Sequence, residues 1–287
     1  MRVPAGTDPA SAALVLRNTE HPWLRPDDLS IPMLADQAQR VLQLVGDPDV
    51  TIATLAAVVS KDPVLATRVL GMANSALYGA MSPMRSVSDA VVRLGTRTVR
   101  NVVVTVSMQS QFKSPELYGT EGVRFMEHAI GTAYAAHLIA DRCRGDVEES
   151  FLCGLLHDLG KLVILKTAHQ YQKKHAAVIR PDELQGALVQ HHAVCGALAL
   201  GFWNVPDEVR DVVQHHHAFE DAANPQAAAV CYAANLLSHR YGFGCQPDGD
   251  AVLEDAVFPY LDLDAAWMAT ADVRGPGLFN AARQALG

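Results

Sequence analysis

The stretch CGLLHDLGKLVIL, residues 153–165, sets a histidine and an aspartate side by side inside an apolar run. Apolar neighbours on both sides predict that His157 and Asp158 are buried. Two such groups left without partners would cost several kcal/mol. The chain must therefore fold so that other segments reach this dipeptide. Either the pair holds a metal ion, or it is the hydrogen-bonded remnant of a site that once did.

The partners on offer are other histidines. The chain has 12, and His128, His157, His192 and the run His215, His216, His217 fall on separate predicted helices. Successive side chains on a helix diverge by about 100°, so further ligands to a His157–Asp158 site have to come from neighbouring helices. Small residues beside those histidines (Ala129, Ala193, Gly196) allow the backbones to approach. Imidazole and carboxylate together suit a first-row ion such as Fe, Mn, Ni or Zn. Singly, each histidine has a plainer explanation. A lone His128 or His192 is more often a hydrogen-bonded core residue, and the run 215–217 closes a helix where imidazolium meets the negative end of the dipole. Jointly, the pattern is much harder to ascribe to chance.

The rest of the chain predicts an all-α protein in two helical lobes. Apolar residues recur at helical spacing through LADQAQRVLQLV, with Thr51 and Asp62 as N-caps and Pro63 at a first helical position. NVVVTV looks like a strand locally, but no nearby segment offers it a partner, so it is expected to continue a helix. Gly160 is expected to mark a turn or kink, and KSPELYGTEG the junction between lobes. The expected organisation is a lead-in over 1–28, an N-terminal lobe over 29–115, a second lobe over 120–244 and a helical extension over 245–287. Trp203 is expected to anchor the core, with Cys153, Cys195 and Cys231 as small buried hydrophobes.

Composition narrows the function. No apolar run approaches the roughly 18 residues of a membrane span, and the N-terminus lacks a signal-peptide core. The five widely spaced cysteines point to reduced thiols. Together these predict a cytoplasmic protein. A net charge of −8 disfavours nucleic acid and anionic membranes as partners. Arg93, Arg97 and Arg100 share one helical face, which is expected to be solvated.

The H…HD…H…HH order resembles the HD superfamily of metal-dependent phosphohydrolases, with HDLGK similar to its central signature. The segment from SIPMLADQAQRVLQLVGDPDVTIATLAAVVSKDPVLATRVLGMANSALYG through SVSDAVVRLG resembles the opening of the HDOD family, as do HHAVCGALALGFWNVPDEVRDVVQHH and YAANLLSHRYGFG. The likeness runs from about Leu29 to Gly244. It implies a helical bundle packed on an HD-like helical lobe, and a bacterial signalling and regulatory role generally without demonstrated hydrolase activity.

Set beside catalytic HD-GYP relatives, His128, His157, Asp158, His192, His215 and His216 fall at matching ligand positions. Lys161 matches a phosphate-contacting lysine. Two positions depart. Asn235 stands where those families place their last aspartate, and Arg124 where a trinuclear site has a glutamate; no G-Y-P loop follows His217. Asp158 is then the only carboxylate left of the set to offset the repulsion between two divalent ions, while Arg124 and Lys161 are candidate anion contacts. The resemblance and its departures lead us to expect a non-catalytic module with a degenerate site, holding at most one divalent ion and requiring none. Its expected partners are signalling proteins, such as a sensor kinase or a cyclic-dinucleotide enzyme. The alternative is a metal-dependent phosphohydrolase acting on a nucleotide or cyclic dinucleotide. In the metal-free protein, Asp158 is expected to accept a hydrogen bond from a neighbouring histidine.

Overall fold

Helix boundaries follow the capping residues. In a computed structural model describing residues 9–75, 78, 83–112, 121–244 and 253–286, α1 spans Pro9–Arg17, α2 Asp36–Val45, α3 Ile52–Val59 and α4 Pro63–Ala73. The Thr51 hydroxyl accepts from the Thr54 amide at 3.1 Å to start α3. Asp62 accepts from Val64 and Leu65 to start α4, with Pro63 where its missing N–H is not needed. Ser86 caps α5 (Val87–Leu94), which Gly95 ends at φ +79°. α6 then runs from Thr96 to Phe112. NVVVTV lies inside it as helix: Val102, Val103, Val104 and Val106 are all buried, so tertiary packing overrides the β-branched preference for strands. Among the described residues there is no strand.

The second lobe comprises α7 (Glu121–Arg142), α8 (Val147–Leu156), α9 (Leu159–His175), α10 (Pro181–Phe202), α11 (Asp207–His215) and α12 (Pro225–Arg240), followed by α13 (Val257–Tyr260) and α14 (Ala265–Leu286). Of the expected junction KSPELYGTEG, residues 113–120 lie outside the described residues, as do residues 245–252 of the C-terminal part. The apolar core runs without a break from the first lobe into the second. The lead-in is part of it: Trp23 is buried and donates to Glu183 at 2.7 Å. Trp203 is the expected core anchor, its indole N–H donating to the Pro32 carbonyl at 2.9 Å. Cys153, Cys195 and Cys231 are buried free thiols. No helix among the described residues is long and apolar enough to cross a membrane.

Asn74 serves locally. Its amide clamps Met84 from both sides, donating to the carbonyl at 3.0 Å and accepting from the N–H at 2.6 Å.

The arginine face is not solvated, contrary to the sequence expectation. Arg97 bridges Asp146 at 2.6 Å and Glu149 at 3.5 Å, tying α6 to the first turn of α8. Arg100 is buried and donates to the Asn101 side chain at 3.2 Å and toward the Glu148 carbonyl at 3.5 Å. Arg93 reaches the Ala73 carbonyl at 3.4 Å. Acidic residues at the start of α8 draw these cations inward, across the lobe interface. Arg100→Ala is expected to cost about 1.5–3 kcal/mol, the range for hydrogen bonds of charged groups, read as a lower urea midpoint. Arg97→Ala, on a half-exposed bridge, should cost less than about 1 kcal/mol.

Candidate metal centre

Five helices deliver the histidines and the aspartate to one buried place. His128 comes from α7. His157 caps the end of α8, and Asp158 sits at the turn into α9 with φ −99° and ψ 8°. His192 comes from α10, while His216 and His217 follow the end of α11. The helix-to-helix turn at 157–158 is what lets two adjacent residues face one point.

Gly160 permits the approach of α9 to α10. A Cβ there would lie 1.7 Å from the His192 carbonyl oxygen and 2.6 Å from the Gly196 amide nitrogen. The expected turn or kink is corrected: Gly160 lies within α9, and its role is close packing.

Backbone carbonyls fix the rings. His157 Nδ1 lies 2.8 Å from the Gly154 carbonyl, His192 Nδ1 2.6 Å from Leu188, and His216 Nδ1 2.6 Å from Val213. A carbonyl can only accept, so each Nδ1 carries a proton and each ring turns its Nε2 into the site. His192 Nε2 and His216 Nε2 face each other at 3.3 Å, with His217 Nε2 at 3.0 Å from His192. His128 Nε2, His157 Nε2 and the Asn235 Oδ1 are buried without a hydrogen-bond partner among the described residues. The unpartnered Nε2 atoms of His128 and His157, beside the Asp158 carboxylate, are a donor set for a cation.

Two groups meet the spacing for a metal ion: His128, His157 and Asp158, all buried, and His192, His216 and His217. Asp158 stands between them, 3.4 Å from His157 Nε2, 3.7 Å from His128 Nε2 and 3.4 Å from His192 Nε2. Asn235 lies on α12 one turn before Ser238, whose hydroxyl lies 3.2 Å from His128 Nδ1.

Two sequence expectations change here. His215 joins neither group. Its Nδ1 faces Asp211, 2.9 Å from the carbonyl and 3.1 Å from the carboxylate. α11 ends at His215, and the chain then turns, so the donors that reach the site are His216 and His217. Asp158 accepts its hydrogen bond from Lys161 Nζ at 2.5 Å rather than from a histidine, because Lys161 sits one turn along α9 on the same side. Arg124 is exposed one turn before His128. His239, which sequence reasoning did not single out, packs tilted against His128 with ring centroids 4.8 Å apart.

The electrostatics favour metal-ready rings. Burial, helped by neighbouring imidazoles, pushes His128 down to about 3 and His217 to about 4, and holds His192 and His216 below the usual range. These rings stay neutral, the form that binds metal. Burial alone would raise Asp158, but His157 and Lys161 beside it hold the carboxyl well below its usual range.

A pH prediction follows with a definite sign. His128 and His217 have folded values of about 3 and 4 against an ordinary 6.5, so the unfolded chain takes up protons first as pH falls. Their contribution to stability is present above about 6.5 and is lost progressively on acidification toward about 3. Thermal melts in chelator should fall steadily between pH 7 and pH 5. A flat profile would contradict this.

A family model described as HDOD domain matches residues 31–219. An uncharacterized protein of Treponema pallidum (strain Nichols) is 28% identical over 221 residues, covering 73% of this chain and 42% of the relative. The chain spans less than half the length of the curated relatives it matches first. Among solved structures, a candidate signal transduction protein from Marinobacter aquaeolei VT8 superposes with a TM-score of 0.68 at 25% identity, covering 91% of this chain and 60% of that one. A candidate metal-dependent phosphohydrolase from Shewanella amazonensis SB2B has a TM-score of 0.64 at 20% identity, covering 91% of this chain and 94% of that one.

Proposed function

The chain belongs to the HDOD family, and from that premise we propose that it is a non-catalytic regulatory module that works through protein partners and holds at most one metal ion. One observation carries the reading. In the two ligand groups Asp158 is the sole carboxylate, and Lys161 already bonds it at 2.5 Å. A pair of adjacent divalent ions needs several negative ligands to offset mutual repulsion. Asn235 offers a neutral oxygen in their place.

The single ion belongs at His128, His157 and Asp158, and Asn235, with its orphaned oxygen, lies one turn along α12 from the Ser238 that meets His128. When bound, it would supply Lewis acidity and lock α7, α8 and α9 together. The protein's own residues orient the rings and keep them neutral. The regulatory reading also fits the description of the Marinobacter neighbour. Partners of the signalling class, a sensor kinase or a cyclic-dinucleotide enzyme, and cytoplasmic residence belong to the same proposal.

The second reading is a metal-dependent phosphohydrolase, favoured by Lys161, which is partly exposed beside Asp158 and could meet a phosphate. Elemental analysis separates the two. Wild type loaded with Mn or Fe should hold no more than one ion per chain. Asn235→Asp should tighten that ion about tenfold or more by adding a charged ligand. Two ions per wild-type chain would favour the hydrolase.

A further inference from the structure

A cavity of about 170 Å³ lies between the lobes, walled by α4, α6, α7, α8, α14 and Tyr78. It is apart from the histidines: along α7, Tyr134 and Asp141 stand about 9 and 20 Å beyond His128 at the helical rise. Its volume is below the roughly 300–1,000 Å³ of pockets for drug-sized ligands, so its occupant is a small molecule.

The lining is aromatic and charged. Tyr134 and Phe151 meet edge-to-face at 5.0 Å and 89°, with the Tyr78 phenol also on the wall. Burial, reinforced by Glu148, raises Tyr78 to about 12 and Tyr134 further, so both remain neutral donors. The Glu148 carboxylate receives one hydrogen bond, from Asn101 to Oε2 at 2.9 Å. Asp141 adds a second negative charge, and neither it nor the exposed Arg274 has an ion-pair partner among the described residues. Glu148 enters from α8, which packs on α6 and α7. Arg274 enters from α14, which packs on α4 and α7. Carboxylate and aromatic faces both attract an ammonium group, and a guanidinium on another wall attracts a carboxylate.

We infer that this cavity binds a small zwitterion of the amino-acid class, its ammonium held by Glu148 against the Tyr134 and Phe151 rings and its carboxylate held by Arg274. The walls come from both lobes, so an occupant ties them together and stabilises the fold by mass action. The site is independent of the metal reading, since none of its residues belongs to the histidine groups.

The test is a thermal-shift and calorimetric screen of the full chain against the standard amino acids one at a time, with n-butylamine and butyrate as half-ligands. At least one amino acid should raise the melting temperature saturably, while each half-ligand binds about tenfold or more weakly, having lost one charged contact. Glu148→Gln, which can still accept from Asn101, and Arg274→Gln, at an exposed position, should each weaken binding about tenfold. His157→Ala should leave it intact. Should Glu148→Gln fail to fold, Arg274→Gln decides. No binding by any amino acid up to about 10 mM, equal binding of n-butylamine, or unchanged affinity in the variants would overturn the assignment.

Discussion

Adding one methyl group at Gly160 is expected to destabilise the protein by more than about 3 kcal/mol, beyond the usual cost of overpacking, and to dismantle the metal centre. The added carbon would meet backbone atoms of α10, with the His192 carbonyl oxygen 1.7 Å away. A side chain could swing aside; a helix backbone cannot. α9 must move bodily, taking Asp158 and Lys161 away from His192. Gly196→Ala is the control: its added carbon would approach nothing closer than 3.2 Å, and it should cost less. The check is the urea midpoint of both variants, with Mn or Zn binding measured alongside. Two variants of equal stability would show that α9 and α10 slide apart freely.

How much of this was legible in the sequence depends on the range of the interaction. Caps act within a turn, so Thr51, Asp62 and Pro63 were readable and stand where expected. The helical state of NVVVTV was readable too, from the lack of any strand partner. Long-range features were not. Arg97 and Arg100 look like a surface stripe until α8 brings Asp146, Glu148 and Glu149 against them. Gly160 looks like a breaker until α10 is placed on it.

The histidine site was readable as a set but not in its last member. His215 and His217 stand two residues apart, and which one reaches the site depends on where α11 ends. Asp211, four residues before His215, is the local signal that could have settled it: an i, i+4 carboxylate holds that ring away. Lys161, three residues after Asp158, could likewise have been foreseen as its hydrogen-bond donor.

His157→Ala is expected to abolish metal binding, a loss of at least about a hundredfold for a central imidazole ligand. The ring is fully buried, pinned through Nδ1 to Gly154, and its Nε2 has no hydrogen-bond partner among the described residues. Its removal leaves a cavity beside the His128 and His216 rings. The fold should survive weakened, by about 1–3 kcal/mol, since the deleted ring makes only one hydrogen bond. Metal titration followed by calorimetry, with circular dichroism as the folding control, reads both effects. Undiminished binding would move the ion to the His192, His216 and His217 group.

The central claim, that this HDOD protein regulates rather than hydrolyses, is tested most directly by turnover of nucleotides and cyclic dinucleotides with Mn- or Fe-loaded wild type. The account predicts no phosphate release above that of His157→Ala. Turnover by the wild type that disappears in both His157→Ala and Asp158→Ala would contradict it and make the histidine cluster a working active site.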